Sequence, residues 1–240
     1  MKIELKNISK VIKNRIILQN VNMEMESGHI YAFVGTNGSG KTMLMRILCG
    51  LVYASEGKVI CDDQEVNFHK RVPYSLGVII EKPEFFNEMD AQENLMTLAN
   101  LNHKINKEEV TKAIEKVGLN ASDVKKVGEY SLGMRQRLGI AQAIMENPDV
   151  FILDEPTGGL DEDGVQLIYD ILKEEKAKGK LIIISSHQKE DIKELSDVIY
   201  LFKNQTVMLN EYKNNSLCFN NHSNSCRKFL FEIKNSIYNF

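Results

Sequence analysis

Gly35-Thr36-Asn37-Gly38-Ser39-Gly40-Lys41-Thr42 is the stretch from which the rest of the chain can be read. It fits the pattern G-x-x-x-x-G-K-[ST]. It follows the apolar run Ile30–Val34 and precedes Met43–Leu48, which reads as a helix. Strand, glycine-rich loop and helix in that order build an anion nest. Backbone N–H groups curl inward, and the helix adds the positive end of its dipole. Lys41 brings a mobile charge suited to β- and γ-phosphates, and the Thr42 hydroxyl is suited to hold Mg2+. Gly35, Thr36, Asn37, Gly38, Ser39, Gly40, Lys41 and Thr42 are therefore expected to bind a nucleoside triphosphate.

A second stretch completes this site. Val150-Phe151-Ile152-Leu153-Asp154-Glu155 is an apolar strand ending in two acids. Beside a phosphate loop, Asp154 is expected to support the Mg2+ shell and Glu155 to orient or deprotonate the attacking water. The plainer reading, two solvated acids before Pro156, loses weight in a chain that also carries the loop. His187 ends the apolar run Leu181–Ser186, and ligands collect at such strand ends in open α/β sheets. It is expected to meet a γ-phosphate oxygen. His29, His69, His103 and His222 have no comparable context. Ser131 precedes another helix, either as an ordinary N-cap or as part of a second helix end that grips phosphate. Spacing leaves both readings open.

The surrounding pattern predicts an α/β fold with a mostly parallel sheet. Lys2–Ile8 and Ile16–Met25 read as a hairpin broken at Lys13-Asn14-Arg15, the start of an antiparallel N-terminal subdomain. Lys58–Cys61 and Glu65–Phe68 flank Asp62-Asp63 as a second hairpin, and Ser75–Ile80 reads as a buried strand. Helices are expected over Asp90–Leu101, Lys107–Val117 and Leu132–Met145, so residues 84–147 form a helical insert. Val150–Leu153 and Leu181–Ile184 are continuous apolar runs, suited to strands covered on both faces. Val198–Phe202 is a third run, and the helix marked by Val165, Ile168 and Leu172 ends near Gly179. The folded unit is placed at residues 1–210. Residues 211–240 are expected to be a poorly specified tail with a short helix at Arg227–Ile233.

Composition narrows the function. A formal charge of −3 in 240 residues argues against a broad nucleic-acid footprint, so no nucleic acid is expected as partner. No apolar run approaches the ~20 residues of a membrane span. The start lacks a signal-peptide core. Cys49, Cys61, Cys218 and Cys226 show no C-x-x-C spacing and read as reduced thiols without a metal.

Taken together and in order, these motifs resemble those of the ATP-binding subunit of ABC transporters over about residues 1–210. Gly35–Thr42 is similar to the Walker A loop of the P-loop NTPase core and Val150–Glu155 to Walker B. Ser131-Leu132-Gly133-Met134-Arg135-Gln136-Arg137 resembles the family's signature, Gly158-Gly159-Leu160-Asp161 its D-loop and His187 its switch histidine. The resemblance implies ATP hydrolysis in a head-to-tail dimer with a second copy or a homologous subunit. Ser131, Gly133 and Asp161 of one protomer would face the ATP on the phosphate loop of the other. It also implies integral membrane permease subunits as partners, and a cytoplasmic chain lying at the inner face of the membrane. Ile12 stands where the family usually has an aromatic against adenine, which implies a weaker or less selective contact. Glu81 replaces the usual Q-loop glutamine as an expected Mg2+ contact. Glu81 together with the signature is similar to the bacitracin- and lantibiotic-export group, which implies transport of a peptide antibiotic or other amphiphile. Phe85 and Phe86 are read either as anchors for the membrane partner or as core. The competing class is a non-transport relative acting on nucleic acid or the ribosome. Such proteins usually carry paired ATPase domains, long coiled coils or basic insertions, and none is visible here.

Overall fold

A computed structural model describes residues 1–70 and 72–212. The expected tail beyond residue 212, with its helix at Arg227–Ile233, lies outside the described residues.

The chain opens with two long strands, β1 (Lys2–Ile12) and β2 (Arg15–Glu26), followed by β3 (Ile30–Gly35) and helix α1 (Lys41–Leu48). Next come β4 (Glu56–Cys61), β5 (Gln64–Glu65) and β6 (Leu76–Ile79). Three helices follow: α2 (Ala91–Asn102), α3 (Lys107–Lys116) and α4 (Leu132–Ile144), with a single 3-10 turn at Val127–Glu129. The remainder alternates: β7 (Val150–Asp154), α5 (Glu162–Ala177), β8 (Leu181–Ser185), α6 (Lys189–Leu195), β9 (Val198–Lys203) and β10 (Thr206–Tyr212).

Two sheets result. The antiparallel one runs β2-β1-β4-β5, and the larger one runs β10-β9-β3-β8-β7-β6. In the larger sheet, every neighbouring pair from β9 to β6 is parallel, and only β10 is antiparallel. The apolar runs are explained by burial on both faces. Ile30 and Ala32 of β3, Phe151 and Leu153 of β7, and Ile182 and Ile184 of β8 join a core with helices α2 to α5. Their alternates Tyr31, Phe33, Val150, Ile152, Leu181 and Ile183 join a second core with α1 and the antiparallel sheet. Side chains alternate across a strand, so a strand serving two cores must be apolar at every position.

Local chemistry sets the ends of elements. Asp90 with Glu93 and Asn106 with Glu109 form reciprocal capping boxes at α2 and α3. Lys13-Asn14, Asp62-Asp63 and Asn204-Gln205 all have positive φ, as two-residue turns of mirror-image type require in hairpins. The third of these hairpins, β9–β10, was not expected from sequence. It carries the sheet to Tyr212, two residues past the expected limit of the folded unit. The strand expected at Glu65–Phe68 is corrected to Gln64–Glu65. Asn67 takes the His69 N–H on its side chain and the Lys70 N–H on its carbonyl, folding that segment into a turn. Helix α6 was also not anticipated, because seven residues are too few for a clear period. Among the described residues, no helix is long and apolar enough to cross a membrane.

Candidate functional site: a phosphate loop beside an acidic strand end

The loop between β3 and α1 is held by two close approaches that only glycine permits. A Cβ on Gly35 would stand 2.5 Å from the Phe202 carbonyl oxygen. Gly40 has φ 107, a backbone that favours glycine, and a Cβ there would also crowd the Ile17 carbonyl oxygen at 3.0 Å. Thr36, Asn37 and Gly38 are exposed at the loop's crest, and Ser39 is buried below. Thr36 O accepts the Ser39 N–H at 3.2 Å, closing the curl. No side chain caps α1, so its first N–H groups are left to the loop's concave side.

Lys41 is buried at the base of this loop. Its Nζ donates to Gly35 O at 2.6 Å and Thr36 O at 3.2 Å. Burial lowers its pKa, and the carboxylates of Asp154 and Glu155 counter that in part. The Thr42 hydroxyl donates to Asp154 Oδ2 at 3.1 Å. The Ser185 hydroxyl, in register across the β7–β8 pair, donates to Asp154 Oδ1. Sequence reasoning missed Ser185, because its role comes from its register with Asp154 on the neighbouring strand.

Glu155 has φ 50, a conformation costly for a side chain with a Cβ. Its N–H donates to Ser185 O at 3.1 Å. The buried amide of Gln136 on α4 donates to Glu155 O at 3.0 Å and Pro156 O at 3.1 Å. The carboxylate thus turned out meets His187 twice: Oε2 accepts the backbone N–H at 3.3 Å, and Oε1 lies 3.3 Å from Nε2. Loop, Lys41, Thr42, Asp154, Glu155 and His187 form one connected group. Gln136 is a further residue the sequence reading left without a role.

Other expected site residues stand apart from this group. In the free chain the Glu81 carboxylate, expected at Mg2+, is held by Arg46 Nη2 at 2.5 Å on the flank of α1. Ser131 is exposed and caps α4, accepting the Met134 N–H at 3.2 Å. Gly133 packs near the Gly159 carbonyl, where a Cβ would come within 3.2 Å. Asp161 caps α5 through the Gly164 N–H at 2.9 Å. Ile12 ends β1 beside the Lys13-Asn14 turn, 40% exposed. Phe85 packs against the core while Phe86 is 57% exposed, so the pair divides between the two readings. A groove of about 450 Å³ beside them is lined by Lys82, Pro83, Glu84, Leu132 and Arg135.

The residues fit a triphosphate and Mg2+. Ser39 Oγ is buried inside the loop without a hydrogen-bond partner, although buried polar atoms ordinarily have one. One hydroxyl and one carboxylate make a sparse set of hard oxygen donors. Mg2+ tolerates such a set, since it keeps waters and takes substrate phosphates as ligands.

Comparison with known proteins agrees. The sequence pattern of the family described as "ABC transporter" matches residues 18–158. An uncharacterized ABC transporter ATP-binding protein, YybJ of Bacillus subtilis, is 43% identical over 82% of this chain and 90% of its own length. The lantibiotic transport ATP-binding protein SrtF of Streptococcus pyogenes is 36% identical over 88% of this chain and 91% of its own. Among solved structures, the dimeric post-hydrolysis ATP-binding cassette MJ0796, bound to ADP and Pi, superposes with TM-score 0.79. It is 22% identical and covers 89% of this chain and 99% of that one.

Proposed function

The chain belongs to the ABC transporter family, and from that premise we propose how its residues carry the work. It is the ATP-binding and ATP-hydrolysing subunit of an ABC transporter. Its likeness to a lantibiotic transport protein supports a peptide antibiotic, or a similar amphiphile, as cargo. The observation that carries the reading is the 3.1 Å contact between Thr42 and Asp154, which joins the phosphate loop to the acidic strand end.

In this reading, the N–H groups of residues 36–42 bind the phosphates and Lys41 leaves its two loop carbonyls to neutralise them. Ser39 gains a partner for its orphaned hydroxyl. Thr42 and Asp154 would hold Mg2+, which when bound would supply neutralisation of phosphate charge. Glu155 orients the attacking water and accepts its proton, and His187 holds Glu155 while contacting the γ-phosphate. Ser131, Gly133 and Asp161 are surface features of a single chain. They serve a second copy or a homologous subunit, completing its site across a head-to-tail seam. Residues 84–147 form the helical insert, and the groove near Phe86 receives an integral membrane permease. That partner keeps the chain at the cytoplasmic face of the membrane.

Glu155→Gln tests the scheme directly. The variant should retain ATP, lose turnover by about 10²-fold or more, and elute as a dimer in ATP on size exclusion. Turnover at the unaltered rate would remove Glu155 from the chemistry, and a monomer in ATP would remove the composite site. Co-purification of a membrane protein from detergent extract tests the partner.

A further inference from the structure

Asp191 is a wholly buried carboxylate, in the first turn of α6, with no part in the steps above. An anion taken out of water must be compensated by hydrogen bonds. Three hydroxyls do this. Asp191 Oδ2 accepts from Thr157 Oγ1 at 2.6 Å and from Ser186 Oγ at 2.6 Å. Oδ1 accepts from Tyr169 on α5, also at 2.6 Å. Burial, reinforced by Asp191, pushes the Tyr169 phenol well above its ordinary pKa and keeps it a donor. Gln188 braces the same knot, donating from its backbone N–H to Ser186 Oγ at 3.0 Å and from Nε2 to Thr157 Oγ1 at 3.4 Å.

The two donors on Oδ2 are informative because of where they sit in the chain. Thr157 comes two residues after Glu155, and Ser186 immediately precedes His187. One carboxylate oxygen therefore ties the turn after one reacting side chain to the turn before the other. The Oδ1 bond reaches only α5.

We propose that Asp191 is a positioning residue for ATP hydrolysis, acting through Oδ2 to set the register between Glu155 and His187. The proposal rests on the ATPase reading above and adds a control point to it. Charge-assisted hydrogen bonds are short and geometrically demanding, and a misplacement of about 1 Å at reacting groups can cost on the order of 10²-fold in rate.

The test is steady-state ATPase of the full chain with thermal unfolding of each variant. Asp191→Asn keeps the shape but turns one acceptor into a donor. It should lower kcat by roughly 10- to 100-fold while KM for ATP stays within about twofold. Thr157→Val and Ser186→Ala should lower kcat in the same sense, and they carry the test if Asp191→Asn does not fold. Tyr169→Phe, which removes only the Oδ1 bond, should lower Tm and leave kcat within about twofold. Asp191→Asn added to His187→Ala should cost little more than His187→Ala alone. A folded Asp191→Asn with unaltered kcat would overturn the proposal, as would equal kcat losses in Tyr169→Phe and Thr157→Val. A wild-type chain without ATP turnover would overturn the ATPase reading and this inference with it; the other negative results sink this inference alone.

Discussion

Replacing Lys41 by Met separates what the lysine does for the fold from what it does for the ligand. In the free chain the ammonium is buried and bonded to Gly35 O and Thr36 O. Its pKa is lowered by that burial, so the charge sits there at a cost. Met fills a similar volume without the charge. Losing two hydrogen bonds and losing a desolvation penalty oppose each other, so the free variant should unfold within about 1 kcal/mol of wild type, or roughly 2–4 °C. Ligand binding should respond quite differently. ATP at about 100 times Kd stabilises by about 2.7 kcal/mol, a shift of roughly 5–11 °C for a chain of this size. Charge-assisted bonds contribute about 1.5–3 kcal/mol each. Taking two at the low end, to allow for the carbonyl bonds given up on binding, the loss is about 3 kcal/mol, or roughly 100-fold in Kd. The same ATP concentration would then stand near Kd, leaving about 0.4 kcal/mol and a shift below roughly 2 °C. Thermal unfolding with and without Mg-ATP measures both quantities in one series. An ATP-induced shift of wild-type size in Lys41→Met would refute the phosphate role. A collapse of the free variant would refute the claim that the fold does not depend on this cation.

Two further substitutions probe the edges of the site. Gln136→Leu should orphan the Pro156 carbonyl, while the Glu155 carbonyl keeps the Gly158 N–H at 3.1 Å; at about 1–3 kcal/mol this lowers Tm by at least about 2 °C and turnover with it, and an unaltered Tm would show that the bridge contributes nothing. Ile12→Tyr, at a position exposed enough to accept the ring, should tighten ATP binding about 2- to 10-fold by aromatic stacking; unaltered affinity would place adenine elsewhere.

The parts of this protein legible in the sequence are those in which one residue type satisfies one local demand. Gly35 answers to backbone crowding beside Phe202 O, and Gly38 and Gly40 to the positive φ of the loop. The continuous apolar runs of β7 and β8 answer to two cores at once, and the capping residue Ser131 to an unsatisfied helix end. What could not be read depends on residues distant in the chain. Ser185 gains its role from its register with Asp154, 31 positions away. Gln136 gains its role from the carbonyls it meets on the far side of β7. Arg46 pairs with Glu81 across 35 positions, a contact that no motif announces. Asp191 lay in a helix too short to announce itself, and its three donors come from three other segments.

Glu81 and Glu155 share a backbone feature but are held in different ways. Each follows one of two adjacent parallel strands, β6 and β7, and each has a left-handed backbone, φ 66 and φ 50. Such a conformation costs on the order of 1–2 kcal/mol in a residue with a Cβ. It persists only where the surroundings hold it. At Glu155 the holding is done by backbone contacts, from Ser185 on one side and Gln136 on the other. That leaves the carboxylate free to face His187 and the phosphate loop. At Glu81 a restraint acts on the carboxylate itself, through Arg46. The Glu81 side chain is 64% exposed, and exposed ion pairs contribute only about 0–1 kcal/mol. The bond is therefore weak enough to exchange when a phosphate-bound cation, or a docking partner at the neighbouring groove, offers a better one. Glu155 has no such exchange available to its backbone. The two acids thus differ in kind: one is fixed for chemistry, and the other is held by a contact that the environment of the site can alter.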